Sequence, residues 1–88
     1  MVLWLRADPD AALRVGVVSS RKVGGAVARN RARRKLREAW RLNRHRLSGK
    51  VDVVLVARRA IGPVPAQRVE EELMELCARA GLVRSKSG

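Results

Sequence analysis

The chain has 88 residues, 20 Lys+Arg against 8 Asp+Glu and a formal net charge of +12, enough for one small domain with a modest core. No apolar run approaches the ~20 residues of a membrane span, and the single cysteine, Cys77, excludes an internal disulfide and offers no metal site. A soluble protein of a reducing cytoplasm is expected.

Val2-Leu3-Trp4-Leu5 is a short apolar run closed by Arg6 and by the turn signal Asp8-Pro9-Asp10, and it predicts a first strand. Leu13-Arg14-Val15-Gly16-Val17-Val18-Ser19-Ser20 is rich in β-branched residues and predicts a second strand, paired with the first as a hairpin. Gly16 marks a bulge or a close backbone approach. Arg21-Lys22-Val23-Gly24-Gly25 then leads into a helix. It reads equally as a plain helix start or as exposed amides at a positive dipole end that hold a phosphate.

The helix is predicted from roughly Gly25 to Leu47, about 34 Å at 1.5 Å per residue. Stepped at about 100° per residue, Ala28, Ala32, Leu36, Ala39, Trp40, Asn43 and Leu47 share one flank. Asn30, Arg33, Arg34, Arg37, Arg41 and Arg44 share the other. Trp40 sits at the margin of the apolar flank and is assigned to packing against the sheet rather than to base stacking.

Ser48-Gly49-Lys50 predicts the stop, with Gly49 in a left-handed cap. Val51-Asp52-Val53-Val54-Leu55-Val56-Ala57 is nearly continuous in apolar residues and predicts a central strand covered on both faces or nearly so. Gly62-Pro63-Val64-Pro65 is a rigid connector to a second helix starting near Ala66, whose apolar face is Val69, Leu73, Leu76, Cys77 and Ala80 and whose cap is Gly81. Residues 84–88 read as a disordered tail. The order β-β-α-β-α predicts an α+β fold, a small sheet against two helices.

The charge is local. Between Arg21 and Arg46 stand eleven basic residues and one acid, Glu38; the rest of the chain has nine basic and seven acidic residues. Like charges at i, i+3, i+4 and i+7 repel one another, so a polyanionic partner is the simplest reason for the stripe. Arginine, with its planar fork, suits phosphate. A hydrolytic centre of the protein's own finds little material. His45 is the one histidine and reads as a solvated or phosphate-facing side chain; Asp8 with Asp10 and Glu71 with Glu75 read as solvated pairs rather than metal ligands, and Cys77 as a core residue. No catalytic residue and no metal ligand is assigned. With no Phe or Tyr in the chain, base stacking is not expected as a main mode of recognition.

The run from Arg14 to Glu38, with R-x-G in a strand, Ser20-Arg21-Lys22-Val23-Gly24 in a loop and Arg29-Asn30-Arg31 opening a helix that reaches Arg37-Glu38, resembles the signature of the bacterial ribonuclease P protein subunit. Asp52-Val53-Val54-Leu55-Val56-Ala57-Arg58 resembles the same family's D-x-V-x-x-A-R strand. The resemblance implies an α/β sandwich like domain 2 of ribosomal protein S5, with a left-handed β-α-β crossover, against the usual hand. It implies a single RNA-binding domain over 1–83, which joins a catalytic RNA, one protein to one RNA. The assembly removes the 5′ leader from precursor tRNA. The RNA, with Mg²⁺, supplies the chemistry, and the protein alone is not expected to cut.

Carried across, Arg29, Asn30, Arg31, Arg33, Arg34, Arg37 and Arg41 would contact the RNA, with Arg21 and Lys22 near it. Family members begin with a further helix and an aromatic first strand that line a cleft for the leader. This chain is expected to lack that helix and shorten that strand, which leaves Val15, Val17 and Ser19 as candidates for the remaining cleft. The alternative in another class is a non-catalytic structural or ribosome-associated RNA-binding protein, such as a small ribosomal or assembly protein, without a part in processing.

Overall fold

The computed structural model describes residues 1–58, 61 and 63–84. Three strands, β1 (Val2–Ala7), β2 (Val15–Ser19) and β3 (Val51–Ala57), combine with two helices, α1 (Ala26–Asn43) and α2 (Ala66–Arg79). Single 3₁₀ turns occupy Arg21–Val23 and Arg44–Arg46. The architecture is the expected α+β one, a small mixed sheet packed against helices.

The pairing departs from the expected hairpin. The sheet order is β1-β3-β2: β1 runs antiparallel to β3, from Val2 opposite Val56 to Ala7 opposite Val51, and β2 runs parallel to β3, from Val15 opposite Val53 to Ser19 opposite Ala57. The most continuous apolar strand takes the centre, where it has two neighbours. Residues 8–14 are also too long for a two-residue hairpin turn. They begin with a local turn, the Asp10 amide donating to Asp8 Oδ1 at 2.8 Å and the Ala11 amide to Asp8 O at 2.9 Å. They end at Leu13, which is buried with φ 58°, a left-handed conformation uncommon outside glycine.

Asp52 holds this loop in place. Its Oδ1 accepts the amides of Ala12 at 3.2 Å and Arg14 at 3.0 Å, and its Oδ2 accepts Arg14 Nη2 at 2.8 Å. The Arg14 guanidinium first, and the two amides with it, hold the Asp52 carboxyl down to about 2 from an ordinary 3.8.

Parity sorts the sheet's faces. Val53, Leu55 and Ala57 are buried under the helices, with Leu3, Val15 and Val17 packed against the same core. The opposite face carries Val2, Trp4, Gly16, Val18, Val54 and Val56, and there Trp4 is 61% and Val18 50% exposed. β3 is therefore central, as its composition predicts, yet fully covered on one face only.

α1 buries Ala32, Leu36, Ala39, Trp40 and Asn43, so the apolar flank lies where the helical period puts it and Trp40 is a core residue. The helix ends earlier than Leu47. The Asn43 side-chain amide turns back to donate to Ala39 O at 2.8 Å and to Glu70 Oε1 at 2.9 Å, which ties the end of α1 to α2. One 3₁₀ turn follows, and Leu47 bridges to Val83.

Gly49 is thus not the cap of α1. It has φ 152°, a backbone conformation that L side chains rarely adopt and glycine does, and a Cβ there would lie 2.9 Å from Leu82 Cδ2. α2 starts at Ala66 as expected, buries Val69, Leu73 and Cys77, and closes with Gly81 at φ 75° between the bonds from Gly81 N to Ala78 O and Leu82 N to Cys77 O. Burial pushes the Cys77 thiol up to about 11. Arg84, grouped with the tail from sequence, donates its amide to Arg46 O at 2.9 Å; the rest of the expected tail, 85–88, lies outside the described residues.

Because the folded carboxyl of Asp52 titrates below the unfolded one, its stabilisation is complete above about pH 4 and is lost as pH falls toward 2. Asp52→Asn should flatten acid unfolding over that window while lowering stability at neutral pH, measured by urea midpoints at pH 2.5, 4 and 7. Parallel pH profiles for the variant and the parent would contradict the assignment.

Candidate nucleic-acid interface

α1 follows a 3₁₀ turn whose entry is set by Ser20, its Oγ accepting the Lys22 amide at 3.1 Å. That turn leaves Arg21 and Lys22 exposed. Gly24, at φ 128°, then allows the tight join to α1: a Cβ there would meet Ala28 Cβ at 3.2 Å. The side chain of Ser19, at the end of β2, donates to Arg29 O at 3.4 Å and ties the first turn of α1 to the sheet.

From this fixed start the helical period sorts the cations. Asn30, Arg31, Arg34, Arg37 and Arg41 are exposed, whereas Arg29, Arg33 and Arg44 are half-buried. The stripe is therefore centred nearer Arg34 than the sequence placed it, with Arg31 on it and Arg33 and Arg44 at its edge. A shallow open depression lined by Val27, Asn30, Arg31, Arg33, Arg34 and Arg37 runs along it. At 18 residues, α1 is about 27 Å long, shorter than the expected span but still several phosphate spacings.

Two contacts modify the stripe from within. Asn30 Oδ1 accepts a bond from Arg33 Nη2, which turns the Asn30 amide nitrogen, a donor, away from Arg33. Glu38 accepts Arg41 Nε at 3.1 Å, and this bond lowers the Glu38 carboxyl below its ordinary range. Arg41 is thereby the member of the stripe whose charge is already answered, while Arg31, Arg34 and Arg37 face solvent.

The other residues singled out in the sequence lie elsewhere. His45 is exposed in the second 3₁₀ turn. Glu75 pairs with Arg79 at 2.7 Å, and Asp8 spends an oxygen on its own turn. Among the described residues no three of His, Cys, Asp and Glu gather as metal ligands, and no helix is long and apolar enough to cross a membrane.

The open face of the sheet was missed. Val15, Val17 and Ser19, the expected remnant of a leader cleft, point to the helix side, where Val15 and Val17 pack against the core; the open face carries their alternates Gly16 and Val18. A one-residue shift in parity exchanges every side chain between faces. Trp4 shares that face, and Arg6 lies on it opposite Asp52. The signal was present in the period-2 pattern of β1, which sets Val2, Trp4 and Arg6 against Leu3 and Leu5, but an apolar run alone does not say which face the helices cover.

The family model for Ribonuclease P matches residues 1–81. The chain belongs to the Ribonuclease P family. It is 47% identical over 72 residues to the Ribonuclease P protein component of Pelotomaculum thermopropionicum, covering 82% of this chain and 64% of that one. It is 40% identical over 80 residues to that of Symbiobacterium thermophilum, covering 91% and 70%. The RNase P protein from Thermotoga maritima superposes with a TM-score of 0.75 at 30% identity, covering 88% of this chain and 74% of that one. The chain spans only part of the length of the curated relatives it matches, 64% and 70% for these two and 58% for that of Desulfovibrio desulfuricans. In this family frame α1 is the helix that carries the Arg29-Asn30-Arg31 motif, and the parallel pair it joins is β2 and β3.

Glu38→Gln should release Arg41 to the stripe and steepen the dependence of log K on log[salt] for RNA binding by about one unit, measured by filter binding between 50 and 300 mM salt. An unchanged slope would show that Arg41 makes no use of its freedom.

Proposed function

We propose that this chain is the protein subunit of a bacterial ribonuclease P acting in the cytoplasm. It joins the catalytic RNA as one protein to one RNA and assists removal of the 5′ leader from precursor tRNA. The reading is carried by the exposed row of Arg31, Arg34 and Arg37 on a helix that begins with Arg29-Asn30-Arg31, in a chain of the Ribonuclease P family. A guanidinium row at one-turn spacing matches a folded RNA backbone, each fork taking phosphate oxygens in pairs.

Arg21 and Lys22 extend the row past the start of α1, and Arg29, Asn30, Arg33 and Arg41 complete the contact set. The protein supplies affinity, orientation and charge neutralisation, and the RNA with Mg²⁺ supplies the hydrolysis. The protein itself holds no cofactor in this reading. Trp4 on the open sheet face, with Arg6 beside it, supports contact with a single-stranded leader, because an exposed indole on a flat apolar surface stacks on any base.

The test is cleavage of precursor tRNA at low Mg²⁺ by a ribonuclease P RNA, with and without the protein. Stimulation is expected, and Trp4→Ala should lower it for substrates that carry a leader. Arg34→Ala and Arg37→Ala should each reduce the salt slope of RNA binding by about one. Binding to ribosomal RNA without stimulation of cleavage would favour the structural alternative and overturn this reading.

A further inference from the structure

Lys35 lies in the densest run of cations in the chain, between Arg34 and Leu36, yet its side chain turns inward. It is half-buried, and its ammonium donates to the backbone carbonyls of Ile61, at 3.5 Å, and Val64. Those carbonyls belong to the connector between β3 and α2, where the Val64 amide also closes a turn onto Ile61 O at 2.9 Å. An ammonium has three donors and no acceptor, so two carbonyls converging on it form a cradle matched to its charge.

Proline at position 63 has no amide to give, and the apolar grip on the segment comes from Ile61, 6% exposed, and Val64, half-buried against the core. Arg31 stands one helical turn before Lys35 on the same side of α1. Lys35 nevertheless spends its ammonium on the connector carbonyls, whereas Arg31, Arg34 and Arg37 face solvent.

We propose that Lys35 is a positioning residue that holds the Ile61–Val64 turn against α1 and does not itself contact RNA. The second half rests on the RNA-binding reading above; the first does not. Lys35→Met keeps the stem's packing and deletes the donors, and Lys35→Gln keeps a weaker pair of donors.

Hydrogen exchange on the free protein should quicken at Val64 and in the first turn of α2 in Lys35→Met, less so in Lys35→Gln, with the β3 amides unaffected. In binding to ribonuclease P RNA, Lys35→Met should weaken affinity a few-fold at every salt concentration without changing the salt slope. A slope reduced by about one would make Lys35 a direct phosphate contact and overturn the proposal, as would unchanged affinity or unchanged exchange at Val64. Arg34→Ala serves as the control. If it too leaves the slope unchanged, the RNA reading fails, and the exchange result stands as the test of the clamp.

Discussion

The apolar flank of α1, buried against the sheet and α2, is the constraint on which the molecule depends. Over Ala26–Asn43 the helix carries seven basic residues and one acid. Six pairs of them stand at i, i+3 or i, i+4 with like charge, each costing roughly 0.2–0.5 kcal/mol, about 1–3 kcal/mol together. Burying Leu36 alone stabilises by about 1.5–3 kcal/mol, and Ala32, Ala39 and Trp40 add to it. The burial outweighs the repulsion, so the helix holds its charges in a fixed row before any partner arrives. Truncating Leu36 would remove the support under Arg34 and Arg37 without touching either.

The same burial gives the molecule two unlike surfaces. The inner face of the sheet and one flank of each helix share a core built on Leu55, Leu36 and Leu73, all fully buried. What remains outside is the guanidinium row of α1 and the open, apolar face of the sheet around Trp4. An ion-rich helix face gains from salt-dependent neutralisation, whereas a flat indole surface gains from stacking. In the proposed function the folded RNA takes the first surface and the single-stranded leader the second.

Much of this was legible in the sequence, for reasons particular to each element. The period of α1 named its buried flank residue by residue, because a 3.6-residue repeat with seven cations leaves one apolar side. The α2 face and the Gly81 cap were legible in the same way. The strand order was not. A hairpin is the default for strands close in sequence, and nothing local says that β3, some thirty residues later, inserts between them. Parity followed the same fate: Val15 and Val17 alternate with Gly16 and Val18, but only the position of α1 decides which pair is covered. The hold of Lys35 on the Ile61–Val64 turn was hidden in a run of like charges whose members look equivalent until their side chains are placed.

The central claim is that the exposed row of α1, continued by Arg21 and Lys22, meets the catalytic RNA, and that the cationic side chains of α2 do not. Arginine Nε–H resonances followed during titration with ribonuclease P RNA test it most directly. Arg31, Arg34 and Arg37 should shift or broaden at the first stoichiometric addition, while Arg68 and Arg79 on α2 stay in place. Perturbation centred on Arg68 and Arg79, with the α1 signals unmoved, would contradict the account.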